Sequence, residues 1–212
     1  MNETGPSSRI PTQPRTRIQR RNHKAILDAA LDVFSARGFR GATVDQIALA
    51  SGLSKPNLLY YFPSKEAIHQ QLLSELLDIW LDPLRALDPE GDPISEILAY
   101  VRRKLEMSRQ MPRESRLFAN EVLQGGTHLS DTLSKVLKPL VDEKADVIRR
   151  WSDEGRIAAV HPHHLIFSIW SLTQHYADFD VQVRTVLGNA EPDPFPEAEK
   201  YLVTLFTRLL TP

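Results

Sequence analysis

The chain is predicted to be all-α, and three observations predict it. Ile26, Leu27, Ala30, Leu31, Val33 and Phe34 recur at the helical period. No stretch alternates apolar and polar residues as a half-buried strand does. Residues 43–66, TVDQIALASGLSKPNLLYYFPSKE, carry helix starts and stops in quick succession. The expected architecture is about nine helices, a small three-helix head followed by a larger helical domain.

Residues 1–18 mix Pro, Ser, Thr and Arg without apolar periodicity and are expected to form a disordered basic arm. The head follows over residues 19–63. Its first helix, over 19–37, supplies the scaffold that shorter helices need, and Gly38 is placed to stop it. Thr43 with Gln46 makes a capping box for the second helix, and Ser51-Gly52 ends it, since only glycine takes positive φ cheaply. Ser54 caps the third helix, with Pro56 in its first turn, where a missing N–H costs nothing.

That third helix clusters Lys55, Asn57, Tyr60 and Tyr61 near its N-terminus. Such side chains suit a recognition helix in a DNA major groove, with N-terminal groups at base edges and tyrosine hydroxyls on the backbone. A helical hairpin with no nucleic-acid role fits the bare pattern equally well. Charge distribution adds to the first reading. Net charge is −1, yet residues 9–40 hold Arg9, Arg15, Arg17, Arg20, Arg21, Lys24, Arg37 and Arg40 against Asp28 and Asp32.

The fourth helix starts at Ser64 and runs to about Leu81, opening a domain expected over 64–212. LDPEGD at 87–92 is a turn-rich break. Further helices are expected over 93–109, 113–123, 129–154, 161–183 and 196–210, separated by Pro112, Gly125-Gly126 and Gly155. The helix after Pro162 is apolar nearly all round, with Thr173, Gln174, His175, Tyr176 and Asp178 set into it, so it is expected to be buried. Polar groups there complete a ligand or satisfy one another. Trp170 and Gln174 share a face, an aromatic plane beside an amide that both donates and accepts. A flat heterocycle with adjacent N–H and C=O groups, such as uracil or thymine, would match them. An aromatic dimer seam is the competing reading.

The absence of cysteine excludes disulfides, thiol nucleophiles and cysteine metal sites. His161, His163 and His164 lack a nearby carboxylate in sequence, so no metal is expected. No nucleophile elbow, phosphate loop or metalloprotease motif is present, and no enzymatic activity is expected. With no spanning segment and no signal peptide, the expected location is cytoplasmic.

Leu59-Tyr60-Tyr61-Phe62 followed by Ser64-Lys65-Glu66 resembles the end of the recognition helix and the next cap in the TetR family of one-component transcriptional regulators. Phe34, Gly38 and Thr43 fall where that family places them. Downstream, Leu77 to Leu81, Ser115 to Phe118, Ile169-Trp170 and Thr173 to Phe179 resemble the pyrimidine-utilisation regulators of the family. The likeness covers most of residues 20–190.

The resemblance implies a homodimeric repressor of pyrimidine-utilisation genes on a near-palindromic double-stranded DNA operator, released by uracil or thymine without a cofactor. The last two helices would form a four-helix seam with a second copy. The implied DNA-facing set is Thr43, Ser54, Lys55, Pro56, Asn57, Tyr60, Tyr61 and Lys65, with Lys65 on phosphate. The implied effector set is Trp80, Phe118, Trp170, Thr173, Gln174, His175 and Asp178. A TetR regulator of another small molecule, or a helical sequestering protein, is the alternative. Asn57 and Pro56 depart from the commonest family pattern, so no operator sequence carries over.

Overall fold

A computed structural model describes residues 16–188 and 192–212, and most of the expected basic arm lies outside the described residues. Among the described residues every regular element is helical. The head comprises α1 (Arg17–Gly41), α2 (Val44–Ser51) and α3 (Lys55–Tyr61). The larger domain comprises α4 (Lys65–Arg85), α5 (Pro93–Gln110), α6 (Pro112–Leu123), α7 (Ser130–Thr132), α8 (Lys138–Asp153), α9 (Pro162–Asp178), α10 (Asp180–Leu187) and α11 (Phe195–Leu210).

The local signals of the head act as the sequence predicts. A break at Gly38, φ 67, interrupts α1 before its last residues. The Thr43 hydroxyl accepts from Gln46 N at 3.3 Å while Gln46 Oε1 accepts from Thr43 N at 3.0 Å, closing the capping box. Gly52 sits at φ 70, and Leu53 N reaches Ala48 O at 3.0 Å across it. That bond satisfies a carbonyl left open by the helix end. Ser54 and Ser64 each cap by accepting a backbone N–H, from Asn57 and Ala67.

Ile26, Ala30, Phe34, Ile47 and Leu58 form the head's core, and it does not stop at the head. Ile68, Leu72, Leu73 and Leu76 of α4 join the same cluster, as do Leu117 of α6 and Leu129 beyond it. An exposed ion pair between Arg113 and Asp32 also ties α6 to α1. A second core, around Trp151, Ile148, Val101, Ile169 and Phe206, unites α5, α8, α9 and α11.

Three helices depart from their expected course. The α4 helix passes its expected end near Leu81 and continues to Arg85, despite Pro83. The Arg85 guanidinium braces that turn by donating to Asp78 and Asp82. The helix expected over 129–154 contains a π-helical turn at Leu133–Leu137, where Lys138 N reaches back to Leu133 O. Pro139 has no N–H for an α-bond and its ring crowds the carbonyl four residues back, so widening the preceding turn relieves both. The helix expected over 161–183 breaks at Phe179 into α9 and α10. Arg116 Nη1 donates to Ala177 O at 3.1 Å, taking the carbonyl a continuing helix would use.

Candidate functional site

Two faces of the molecule bear the residues singled out by sequence. At the first, α3 rests on the start of α1. Asn22 Nδ2 donates to the Tyr61 hydroxyl at 3.1 Å, and Gln19 Nε2 approaches the Tyr60 hydroxyl at 3.5 Å. Arg17, Arg20 and Arg21 are exposed on the same N-terminal turns of α1. None of the three has an ion-pair partner among the described residues. Tyr60 is 72% exposed, and Lys55, Pro56 and Asn57 are exposed beside it. Lys55 Nζ contacts Asp45 at 2.9 Å, but an exposed pair of this kind is worth only about 0–1 kcal/mol and leaves the lysine free to swing away.

As the sequence predicts, Thr43 and Ser54 accept backbone N–H groups as the caps of α2 and α3. One expectation at this face changes. Lys65 points inward. Its Nζ donates to Phe39 O at 2.8 Å and Ala42 O at 2.9 Å and sits 4.4 Å from the centroid of the Phe39 ring. Lys65 therefore acts as a brace between α4 and the α1–α2 turn, where the sequence suggested a phosphate contact.

The second face is a cavity of about 880 Å³ between α6, the π turn and α9. Phe118, Trp170, Gln174, His175 and Asp178 of the predicted effector set line it. Thr173 does not, being fully buried with its hydroxyl donated to Ile169 O at 2.7 Å. A β-branched hydroxyl in mid-helix commonly takes this bond to its own backbone. Trp80 is also absent from the wall, but its ring meets Phe118 edge-on at 5.2 Å. Trp170 is held in place by donating from Nε1 to the Tyr100 hydroxyl at 2.6 Å. Arg116 and Asn120 add polar groups, while Val122, Leu123, Leu133 and Leu137 give the outer wall its apolar character.

Behind Phe118 and Asp178 is a set of polar groups short of partners. Trp80 is 6% exposed, and its indole N–H has no hydrogen bond. Lys104 is 4% exposed, lies 5.2 Å from the Trp80 ring and has no hydrogen bond or ion pair among the described residues. Burial drives its pKa down to about 8, only partly opposed by the charge of Asp178. Burial likewise raises the pKa of Asp178, against the Ser115 hydroxyl that donates to it at 2.6 Å and the charges of Arg116 and Lys104. Sequence reasoning missed Lys104, which stands in the run Arg102-Arg103-Lys104 and looks there like a solvated charge. Its spacing of three and four residues from Val101 and Tyr100 on the buried face was the available signal.

His163 meets a carboxylate after all, since α8 brings Asp142 to 3.1 Å from its Nε2. The ground given by sequence for excluding a metal there, an absent carboxylate, does not hold in three dimensions. Among the described residues, the three-ligand cluster with metal-like spacing lies elsewhere, at His69, Glu121 and His128.

Comparison with known proteins agrees with this layout. The model for bacterial regulatory proteins of the tetR family matches residues 26–72, and that for the YcdC-like protein C-terminal region matches residues 73–212. The HTH-type transcriptional regulator RutR of Escherichia coli K12 is 51% identical over 177 residues, 84% of each chain. The fold is shared with the putative transcriptional regulator SCO4942 of Streptomyces coelicolor, at TM-score 0.73 and 21% identity over 89% of this chain and 98% of that one. It is shared too with AibR bound to isovaleryl coenzyme A and operator DNA, at TM-score 0.66 and 18% identity over 87% and 97%. These relatives are regulators of transcription, not enzymes, and no helix among the described residues is long and apolar enough to cross a membrane. The chain belongs to the TetR family of bacterial transcriptional regulators.

Proposed function

We propose that this regulator represses transcription by binding a near-palindromic operator as a homodimer, and that uracil or thymine releases it. The observation that carries the effector is the unmatched polar set beside the cavity. Trp80 Nε1 and Lys104 Nζ only donate, so they call for an acceptor. Asp178 accepts and calls for an N–H, while Gln174 does either. The flat ring that meets both demands carries C=O beside N–H, and Trp170 offers it a stacking face. Exposed Tyr201 and Leu209 on α11 and Phe167 on α9 suit the seam with a second copy.

A second reading has its own support. The cavity is much larger than one pyrimidine, and its apolar outer wall suits a bulkier effector. Calorimetric titration with uracil, thymine, cytosine and uridine separates the two. Uracil or thymine is expected to bind, Gln174→Ala is expected to weaken it about tenfold for one lost hydrogen bond, and cytosine, with an amino group in place of a carbonyl, is expected to bind worse. Silence from all four with folded protein would give the cavity to another ligand.

For the operator, Arg20→Ala with Arg21→Ala is expected to weaken every sequence alike and to lower the salt slope by about 2. By contrast, Asn57→Ala is expected to relax selectivity at one base pair. Fluorescence anisotropy against an operator and its single-base variants at several salt concentrations reads both. A selectivity profile unchanged by Asn57→Ala would remove Asn57 from the base-reading set.

A further inference from the structure

We infer that His69, Glu121 and His128 form a divalent-metal site, best suited to Zn²⁺, that ties α6 to the part of α4 on which the DNA-reading head packs. The residues come from three places: His69 from the second turn of α4, Glu121 from α6, and His128 from the loop after it. Their ligand atoms all lie within 4.8 Å of one another. Zinc with Zn–N and Zn–O near 2.0–2.1 Å places tetrahedral ligands about 3.3 Å apart. His128 Nδ1 stands 3.1 and 3.2 Å from the two Glu121 oxygens, and His69 Nδ1 is 3.9 Å from Oε2. Small side-chain rotations bring all three onto one ion.

An independent observation points to a missing ligand. His69 is 1% exposed, and its Nδ1 has no hydrogen-bond partner. At 3.9 Å the Glu121 carboxylate is too far to accept from it but correctly placed to share an ion with it. The support around the cluster resembles what metal ligands need. His128 N donates to Glu121 Oε1 at 2.9 Å, and Phe34 and Phe39 pack against the imidazoles at 4.6–4.8 Å between ring centroids. Two imidazoles and one carboxylate suit Zn²⁺, Co²⁺ or Ni²⁺ and not the oxygen-seeking Mg²⁺ or Ca²⁺. A fourth position is left for water.

Position gives the site its consequence. Phe39, which touches both imidazoles, is held by Lys65 at the end of α1, while Glu121 is flanked on α6 by the cavity-lining Asn120 and Val122. An ion there would tie α4 to α6 between the DNA-facing side and the effector cavity.

The test uses the full chain stripped of metal with a chelator and titrated with Zn²⁺ against a chromophoric competitor at pH 7.5. One equivalent per chain, a raised Tm, and Co²⁺ d–d bands of a four- or five-coordinate site are expected. His69→Phe, which keeps the aromatic packing, and Glu121→Gln should each weaken binding by about 100-fold or more and abolish the Tm rise. His161→Ala, His163→Ala and His164→Ala together serve as the control and should change none of these. The wild-type Co²⁺ spectrum stands as the readout if either core variant fails to fold. Absence of binding at one equivalent, binding that survives both core substitutions, or binding lost only in the three-histidine control would each overturn the assignment.

Discussion

Lys104→Met is expected to stabilise the ligand-free protein and to abolish most of its affinity for a pyrimidine. The stability arm follows from burial without a partner. An ammonium whose pKa falls from 10.5 to about 8 costs the fold on the order of 3 kcal/mol, at 1.36 kcal/mol per unit. Methionine fills similar space without the charge, and replacing unpaired buried charges by apolar groups of like volume commonly stabilises. The pH dependence fixes the cause. Folded Lys104 loses its proton near pH 8, unfolded lysine near 10.5, so between them the unfolded chain binds more protons and wild-type stability rises with pH. The advantage of the variant should therefore be full below about pH 8 and vanish by about pH 10.5. Urea denaturation of both proteins across that range measures it, and a pH-independent gap would mean that packing, not charge, sets the difference.

The affinity arm has the opposite sign. An acceptor on the ligand would take a charge-assisted hydrogen bond from Lys104, worth about 1.5–3 kcal/mol, so its loss should weaken uracil on the order of 100-fold. The same bond would favour the protonated lysine. Titrations near pH 8.5 in buffers of different ionisation enthalpy should show proton uptake on binding in the wild type and none in the variant. A variant that gains stability and keeps its uracil affinity would leave Lys104 a structural burden with no share in the effector site.

What the sequence discloses divides along one physical line. Caps and stops are decided within four residues, so Thr43 with Gln46, Gly52, Ser54 and Ser64 could all be placed from the chain itself. Trp170 and Gln174 were legible for the same reason, since a shared helix face needs only their spacing, and both do line the cavity. Pro139 was equally local, and an expectation of one smooth helix over 129–154 overlooks it. Long-range partners were not legible. Whether Lys104 is solvated or buried depends on what packs over α5, and whether Thr173 faces a ligand depends on which side of α9 meets the cavity. His69 and Glu121, 52 residues apart, acquire meaning only when α4 and α6 lie side by side. Phe179 ends α9 because an arginine 63 residues earlier takes a carbonyl, and no periodicity reports that.

Lys65→Ala is expected to destabilise the head by about 2–4 kcal/mol. Two charge-assisted hydrogen bonds to Phe39 O and Ala42 O would go, each worth about 1.5–3 kcal/mol before allowance for water at a partly exposed site. The contact with the Phe39 ring adds about 0.5–1 kcal/mol. Those two carbonyls lie in the turn that carries α1 into α2, so their loss loosens the angle at which α3 is presented. Operator affinity should fall with stability, and the salt slope should stay within error of the wild type. A phosphate contact makes the reverse prediction, since its removal lowers the slope by about 1 and leaves stability alone. Urea denaturation and salt-dependent anisotropy on one preparation decide between them. A stable variant with a reduced slope would return Lys65 to the DNA-facing set, and an unstable one with an unchanged slope would establish it as the residue that fixes the head on α4.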